Sequence, residues 1–455
     1  MLIKDEMLRG AIARALRITE DKITKEEMKK LIRLSARSCG IVSLEGLEYA
    51  ENLTYLDLCA NAIEDLTPIK GLREIEYLNV SKNMLRDIQA LRDFRQLVRL
   101  DLSRNNLYTM DISALAGMHN LEELNLERCK VDNLMYLENV KKLKRLHVGI
   151  ENGPFPLSIL GMLDNLVEVH MNKMWLYDIA DLTYLKKIEV LDLSTNLFRD
   201  LSPLQYMKQT LEISYDSVDD FSFLKELKNL KELRATESNL CDMRYLHGLT
   251  KLEKLDVSSN RLIHTEELAQ MKKLRYFKAC GCFLDNIDFL KDAKQLEEIN
   301  VYNNRIKNID VLKGCEHMTT MDVGANNIKD ISSLADMKNL ECVGLSHNVI
   351  TDLTPLKDLT NLASIDLYNN VITDLTPLEK LVNLSSLRLD HNGVMDLTPL
   401  EHCEYLSSLT LKANYVSDVT PLSKLKHLYE LRLDDNPIED ISMLEDMEYY
   451  DKFSY

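Results

Sequence analysis

The residues from Asn339 to Lys426 divide into four consecutive blocks of 22 residues that share one pattern. The blocks read NLECVGLSHNVITDLTPLKDLT, NLASIDLYNNVITDLTPLEKLV, NLSSLRLDHNGVMDLTPLEHCE and YLSSLTLKANYVSDVTPLSKLK. Their shared pattern is L-x-x-L-x-L-x-x-N-x-I/V-x-D-L-x-P-L-x-x-L. Tandem copies at such a period are the mark of a repeat protein. They replace the roughly three globular domains that 455 residues otherwise suggest with one elongated body.

Within one block, the first residues alternate between apolar and polar side chains. Ile365 and Leu367 point to one side, and Asp366 and Tyr368 point to the other. This period of two predicts a short strand with one buried face. Asn370 ends the strand, and we expect its amide to serve the backbone groups of the adjacent loop, forming a ladder along the stack. A buried polar group without a partner costs on the order of 1–3 kcal/mol, so few residue types fit this position.

The second part of each block predicts a short helical turn on the opposite side. Thr376 suits a helix N-cap and Pro377 suits the first helical position. An Asp column precedes the turn, where negative charge suits a helix N-terminus. The predicted fold is therefore an α/β solenoid, a leucine-rich repeat with a parallel sheet on one side and short helical or 3-10 turns on the other. Stacked neighbours bury the Leu face that one repeat cannot bury alone.

The solenoid is predicted to span residues 39–448. A half repeat begins at Ile41, and eighteen units follow, beginning at residues 52, 74, 96, 120, 142, 165, 187, about 207, 229, 251, 273, 295, 317, 339, 361, 383, 405 and 427. The unit from Gln96 is longer around Tyr108–Ile112, and the unit from Lys142 has one extra residue and an unusual loop at 152–156. In six units the ladder Asn is replaced, by Cys129, Glu151, Met174, Asp216, Ser238 and Cys282.

The two ends lack the repeat pattern. Residues 1–38 are predicted to form a helical N-terminal cap, with a capping box at Thr24 and Glu27 and with Met28, Leu31 and Ile32 turned inward. The alternative is a partner-binding helical module. Residues 449–455 are predicted to cover the last repeat, with a docking peptide as the alternative.

Charge and motifs exclude several classes of function. The formal net charge of −17 argues against nucleic acid, because Lys and Arg supply the affinity for phosphates. Nine scattered cysteines indicate reduced thiols rather than a disulfide framework. Cys280 and Cys282 form a C-x-C, but no second Cys/His pair stands at ligand spacing. His347 and His391, two repeats apart, are expected about 10 Å from each other, too far to share an ion. No catalytic or phosphate-binding motif is present. We therefore expect no metal, no cofactor and no catalysis.

A partner is expected on the concave face of the sheet. Tyr and Arg are frequent in binding hot spots. The candidate residues there are Tyr55, Tyr77, Arg99, Arg104, Arg128, Arg145, His147, His170, Lys173, Tyr276, Tyr302 and Tyr368, and acidic residues such as Glu123 and Glu168 stand among the basic ones. The competing interpretation is that alternating charge keeps a long sheet soluble. Trp175, beside the 152–156 loop, is either an exposed anchor or core filling.

The helical cap, the stretch GIVSLEGLEYAENLTYLDLCANAIEDLTPIKGL and the later ITDLTPL resemble the internalin-type bacterial leucine-rich repeat proteins. The resemblance covers residues 5–448 and implies a right-handed arc whose concave parallel sheet grips a protein. The sequence departs from the family in having no secretion signal, no Leu-Pro-x-Thr-Gly motif and no immunoglobulin-like segment after the repeats. Units such as NNRIKNIDVLKGCE resemble the intracellular regulators of protein phosphatases almost equally well.

The sequence therefore predicts a non-catalytic, monomeric scaffold that binds a protein. We expect it to be cytoplasmic and without a membrane span. The alternatives are a secreted or surface internalin-like adhesin or effector, and a regulatory subunit of an enzyme such as a phosphatase.

Overall fold

The computed structural model describes residues 2–105, 111–131, 133–150, 152, 155–185, 187–205, 207–216, 218–445 and 454. The chain forms two compact units, Met1–Leu227 and Lys228–Tyr455, which we call unit 1 and unit 2. In both units, short parallel strands pair with their neighbours in chain order, and short 3-10 helices connect them. Each unit is a leucine-rich repeat solenoid, as the sequence predicts.

Unit 1 begins with two α-helices, α1 (Glu6–Leu16) and α2 (Lys25–Met28). Its described strands are β1 (Arg33–Ser35), β2 (Tyr55–Asp57), β3 (Tyr77–Asn79), β4 (Arg99–Asp101), β5 (Glu123–Asn125), β6 (Arg145–His147), β7 (Glu168–His170), β8 (Val190–Asp192) and β9 (Thr210–Glu212). Its 3-10 helices are Glu20–Lys22, Leu47–Tyr49, Thr67–Ile69, Gln89–Leu91, Ser113–Gly117, Met135–Asn139, Leu157–Met162, Ala180–Tyr184, Ser202–Leu204 and Ser222–Glu226.

Unit 2 repeats the same arrangement without α-helices among its described residues. Its strands are β10 (Glu232–Arg234), β11 (Lys254–Asp256), β12 (Tyr276–Lys278), β13 (Glu298–Asn300), β14 (Thr320–Asp322), β15 (Cys342–Gly344), β16 (Ser364–Asp366), β17 (Ser386–Arg388), β18 (Ser408–Thr410) and β19 (Glu430–Arg432). Its 3-10 helices are Met243–Leu246, Thr265–Gln270, Asp288–Leu290, Asp310–Leu312, Ser332–Asp336, Thr354–Leu356, Thr376–Leu378, Thr398–His402, Thr420–Lys424 and Ser442–Leu444.

The strands from β2 onward each begin three residues after a predicted repeat start, so the repeat boundaries agree with the structure. The middle residue of each strand points into the core: Leu56, Leu78 and Leu100 are 0–2% exposed. Burying one such side chain stabilises the fold by roughly 1.5–3 kcal/mol. Because every repeat contributes one at the same place, the apolar interior runs through each unit.

The ladder asparagines satisfy buried backbone groups at the ends of the strands. Asn326 is 7% exposed. Its Nδ2 donates to the carbonyl oxygens of Val301, Val323 and Gly324, each at 3.0 Å, and its Oδ1 accepts from the amide of Ile306 at 2.9 Å. One amide thus joins two consecutive repeats.

The replacements in the ladder column mostly keep one of these bonds. Cys129 Sγ donates to Leu102 O at 3.1 Å, and Cys282 Sγ donates to Val257 O at 3.2 Å. The predicted replacement at Glu151 lies outside the described residues, and the next residue fills the ladder position instead. Asn152 Nδ2 donates to Leu126 O at 2.9 Å, and its Oδ1 accepts from Val131 N at 2.7 Å. The extra residue of this repeat therefore precedes the ladder, which stays intact.

In most repeats the turn on the far side is capped by Asp rather than by Thr, and Asn133, Asn286 and Asn308 do the same in three others. Asp374 Oδ1 accepts from the amide of Thr376 at 2.8 Å, while Thr376 is already the first residue of the 3-10 helix. Asp352 and Asp396 make the same bond. The Asp column was predicted correctly, and the assignment of Thr as N-cap was wrong, because the carboxylate reaches the amide two residues on and leaves no capping task for the hydroxyl.

The N-terminal prediction holds in part. Thr24 Oγ1 accepts from Glu27 N at 3.2 Å, which is one of the two bonds of the predicted capping box, and Met28 and Leu31 are buried. Ile32 is 49% exposed, because α2 ends at Met28 and the chain then enters β1. No helix among the described residues is long and apolar enough to cross a bilayer.

The C-terminal tail lies outside the described residues except for one position. Ser454 N donates to Leu431 O at 2.9 Å, and Leu433 N donates to Ser454 O at 2.6 Å. Ser454 therefore pairs along β19. Whether residues 449–455 cover the last repeat stays a prediction.

Replacing one ladder asparagine tests how much its hydrogen bonds contribute to the stability of the fold. Asn326→Ala leaves the Ile306 amide and several carbonyls without their side-chain partner, so we expect the free energy of unfolding to fall by about 2–3 kcal/mol in urea denaturation. The neighbouring exposed Asn327 provides a matched control, and Asn327→Ala should change stability by less than about 0.5 kcal/mol. Equal effects of the two substitutions would refute the ladder account.

A second substitution tests the effect of the carboxyl group that replaces the ladder asparagine at Asp216. Asp216 is 1% exposed, its Oδ2 has no hydrogen-bond partner among the described atoms, and burial raises the pKa of Asp216 to about 7. In the unfolded chain this carboxyl ionises near pH 4, so its cost to folding grows between pH 4 and pH 7. We expect Asp216→Asn to be more stable than the parent chain by about 2 kcal/mol near pH 8, with the difference shrinking toward pH 4. Urea unfolding at several pH values measures it, and a pH-independent difference would contradict the assignment.

Candidate protein-binding face

The solvent side of the sheet in unit 1, which we call strand face 1, carries two columns of side chains. The first strand positions form one column: Arg33, Tyr55, Tyr77, Arg99, Glu123, Arg145, Glu168, Val190 and Thr210. The third strand positions form the other: Ser35, Asp57, Asn79, Asp101, Asn125, His147, His170, Asp192 and Glu212. Neighbours in a column are directly opposite each other in the strand register.

The first column begins with a stack of flat side chains. The rings of Tyr55 and Tyr77 lie parallel, with 4.3 Å between their centroids and 8° between their planes. The Arg33 guanidinium covers the other side of the Tyr55 ring at 3.9 Å. Burial raises the pKa of Tyr77, so its hydroxyl stays neutral and can donate a hydrogen bond. The stack is an ordered group of flat side chains on strand face 1.

The next residues of this column form a ladder of ion pairs. Arg99 Nε lies 3.3 Å from Glu123 Oε2, Arg145 also bonds Glu123, and Arg145 Nε lies 3.1 Å from Glu168 Oε2. The candidate residues Arg99 and Arg145 are therefore paired with acidic neighbours in the same column. Such exposed pairs contribute little to stability, and they leave Arg99 and Arg145 already engaged.

The second column contains a pair of histidines. The rings of His147 and His170 are parallel, with 4.2 Å between centroids. Burial, together with the charge of His170, lowers the pKa of His147 to about 4. Burial also disfavours charge on His170, but hydrogen bonds to Asp192 and Glu168 outweigh it and raise the pKa of His170. The pKa values of the two rings are therefore shifted in opposite directions.

In unit 1, four of the predicted residues lie beyond the strands rather than on them. Arg104, Arg128 and Lys173 follow β4, β5 and β7, and their φ angles are 58°, 56° and 54°. The backbone at these three residues is therefore left-handed rather than extended. Trp175 also follows β7, and it is 68% exposed, so of its two predicted environments the structure shows the exposed one.

The predicted residues of unit 2 are spread along its own sheet. Tyr276 lies on β12 and donates from its hydroxyl to Glu297 at 2.9 Å. Tyr302 and Tyr368 lie two residues past β13 and β16. Tyr368 stands between the rings of His347 and His391, at 4.7 and 5.4 Å between centroids. These tyrosines are not brought together into one patch.

The cysteines are all free thiols. Burial raises the pKa of Cys129 to about 12 and that of Cys282 to about 11, so both stay protonated and unreactive.

Sequence reasoning missed three members of strand face 1. Arg33 lies where the repeat pattern has not yet begun, although it stands 22 residues before Tyr55. Glu168 was recognised only as an acidic neighbour, and Asp192 was not singled out. The available signal was the spacing of 22 or 23 residues, which places them in register with Tyr55, Arg145 and His170.

Comparisons with known proteins agree with this architecture. Models described as "Leucine Rich repeats (2 copies)" match residues 338–380 and 360–402, and one described as "Leucine rich repeat" matches residues 51–107. None of the curated proteins compared with the chain matches it. The functional domain of InlJ from Listeria monocytogenes is 20% identical, with 90% of this chain and 80% of that chain covered and a TM-score of 0.54.

Two further Listeria monocytogenes structures are similar in sequence but superpose less well. Internalin C2 is 31% identical over 40% of this chain and 80% of its own, with a TM-score of 0.38. Internalin InlF is 22% identical over 96% of both chains, with a TM-score of 0.34. The structural assignment therefore relies on InlJ.

The chain is a leucine-rich repeat protein. Its fold is similar to that of InlJ, and its 22-residue units and helical start resemble those of the internalin-type proteins. Scaffolds of this class are generally non-catalytic and mediate contacts between proteins.

The contact between His170 and Asp192 can be tested by titration. Replacing Asp192 by Asn removes a negative hydrogen-bond acceptor, so we expect the pKa of His170 to fall, as measured by NMR on histidine-labelled protein with a chelator present. Because the raised pKa stabilises the fold below pH 6.5 and this contribution disappears as pH rises through it, the variant should also lose stability at acidic pH.

Asp256 provides the control for this titration. It binds Ser258 as Asp192 binds Ser194, and it lies in unit 2. Asp256→Asn must leave the pKa of His170 unchanged. A drop in both variants, or in neither, would contradict the assigned contact.

Proposed function

We propose that the chain is a non-catalytic scaffold that binds a protein partner on strand face 1, the face that the sequence predicts to be concave. The observation that carries this proposal is the stack of Arg33, Tyr55 and Tyr77, at 3.9 Å and 4.3 Å. Flat, ordered aromatic side chains lose little conformational entropy when they are covered, and Tyr and Arg are enriched in binding hot spots.

The ion-pair ladder beside the stack supports the same function in another way. Arg99, Glu123 and Arg145 present alternating charge, which favours partners with the complementary order and disfavours others. Affinity would come from the aromatic stack, and the ladder would supply selectivity. The predicted sites at Arg104, Arg128, Lys173 and Trp175 belong to a neighbouring surface, and those at Tyr276, Tyr302 and Tyr368 belong to unit 2.

The experiment compares two pairs of tyrosines. Affinity capture with the full chain, followed by quantitative mass spectrometry, is repeated with Tyr55→Ala/Tyr77→Ala. The matched control is Tyr177→Ala/Tyr184→Ala, which removes two tyrosines that are 72% and 68% exposed and lie off the strands. A partner that uses strand face 1 is depleted by the first variant and retained by the second.

Purified components then give the magnitude. We expect Tyr55→Ala/Tyr77→Ala to weaken binding of that partner at least about tenfold, since hot-spot residues contribute about 2 kcal/mol or more each. Partners retained equally by both variants would place the binding surface elsewhere and refute the proposal.

A further inference from the structure

His147, Glu168 and His170 bring three metal-ligand atoms together on strand face 1. Glu168 Oε1 lies 3.0 Å from His170 Nε2 and 3.7 Å from His147 Nε2. The three donor atoms lie within 4.8 Å of one another. Across the part of the chain that the structure describes, this is the one group of three or more His, Cys, Asp or Glu side chains placed in this way.

The distances between these atoms suit a small ion with nitrogen and oxygen ligands. Zn²⁺ binds His nitrogen and carboxylate oxygen at about 2.0–2.2 Å, which separates tetrahedral ligand atoms by roughly 3.3 Å. The two observed distances to Glu168 lie on either side of that value. The imidazole rings lie 5° from parallel, so each has to turn toward the other for both Nε2 lone pairs to meet one ion. Ca²⁺ and Mg²⁺ prefer all-oxygen sites and do not fit this donor set.

We propose that His147, Glu168 and His170 bind one divalent transition-metal ion of the Zn²⁺ type. The proposal is independent of the proposed protein partner. It departs from the sequence analysis, which expected no metal. The sequence signal was a His at the third strand position of two consecutive repeats, with Glu168 two residues before the second.

The surroundings of the three ligands hold them in place. His170 Nδ1 lies 3.5 Å from Asp192 Oδ2, and Asp192 in turn accepts from Ser194 N at 3.0 Å. A carboxylate on the second ring nitrogen is the usual partner of a metal-bound His, because it fixes which nitrogen faces the ion. Glu168 Oε2 is held by Arg145 Nε at 3.1 Å, which leaves Oε1 pointing between the rings.

The ligands are accessible enough for an ion to enter. Their side chains are 28%, 25% and 24% exposed for His147, Glu168 and His170. Three protein ligands on an open sheet leave a fourth position for water or for a donor from another molecule. Two carboxylates, Glu168 and Asp192, stand against one guanidinium, Arg145, so the local charge favours a cation.

The experiment titrates the full chain with ZnCl2 and follows the heat of binding. We expect a site of one Zn²⁺ per chain that His147→Ala and His170→Ala each weaken more than about tenfold. Asp192→Asn should weaken it about 10–100-fold, as loss of a carboxylate behind a ligand usually does. The control, His347→Ala/His391→Ala, removes two histidines from unit 2 that flank Tyr368 and should leave this site unchanged.

A second measurement does not depend on any variant folding. Co²⁺ bound by two imidazoles and a carboxylate gives only weak visible bands, whereas thiolate ligation adds strong near-ultraviolet absorption. Because the chain has nine free cysteines, this separates the proposed site from adventitious thiol binding. A further variant is Glu168→Gln, a conservative change at a partly exposed position that leaves the fold intact.

The outcomes are distinct. A one-to-one site with a nitrogen and oxygen spectrum, lost in the His147 and His170 variants and kept in the control, supports the proposal. The proposal is overturned by no one-to-one binding, by a thiolate spectrum, or by affinity that survives His147→Ala/His170→Ala. None of these outcomes depends on strand face 1 binding a protein.

Discussion

The hydrogen bonds of the ladder amide are the constraint on which the rest of each unit depends. At the end of every strand the backbone turns inward, and its amides and carbonyls are shielded from water. The Asn326 side chain forms hydrogen bonds with four of these groups, in its own repeat and in a neighbouring one. Because the amide reaches across, it fixes consecutive repeats in register. That register places Tyr55 on Tyr77, Glu123 between Arg99 and Arg145, and His147 on His170.

Much of the fold followed from the sequence because its causes are local and repeated. The Leu, Asn and Asp columns recur with side chains whose physical tasks are few, so the repeat starts could be placed, although the predicted strands ran past the observed ones to residues such as Tyr368. Errors arose where a neighbouring residue makes the hydrogen bonds that the pattern assigns to a given position. Asn152 serves the ladder after an inserted residue, and Asp374 does the capping that Thr376 was expected to do. In both cases the hydrogen bond to the unpaired backbone group is made by the side chain that can reach it, and matching residues by position in the repeat does not detect this.

The candidate site was less predictable, because it depends on contacts between side chains of different repeats. The pairing of Tyr55 with Tyr77 follows from spacing alone. The neutralisation of Arg99 and Arg145 by Glu123 depends on side-chain conformations that the sequence does not specify. Arg104 and Arg128 looked equivalent to strand residues until the backbone was known, since a positive φ angle in a non-glycine residue has no clear sequence mark. The pairing register of the strands therefore determines which side chains meet on strand face 1, and both proposals made for this face rely on that register.

The placement of the inserted residue ahead of Asn152 has an evolutionary consequence. Repeats can gain a residue in the connection to the ladder while the strands continue to pair directly opposite one another, about 4.8 Å apart. Loop length and strand spacing are therefore free to vary independently. Mutation can lengthen the connection that follows a strand while the strands themselves keep their spacing. A new binding partner can then be selected by changing individual side chains, without rebuilding the scaffold that spaces them.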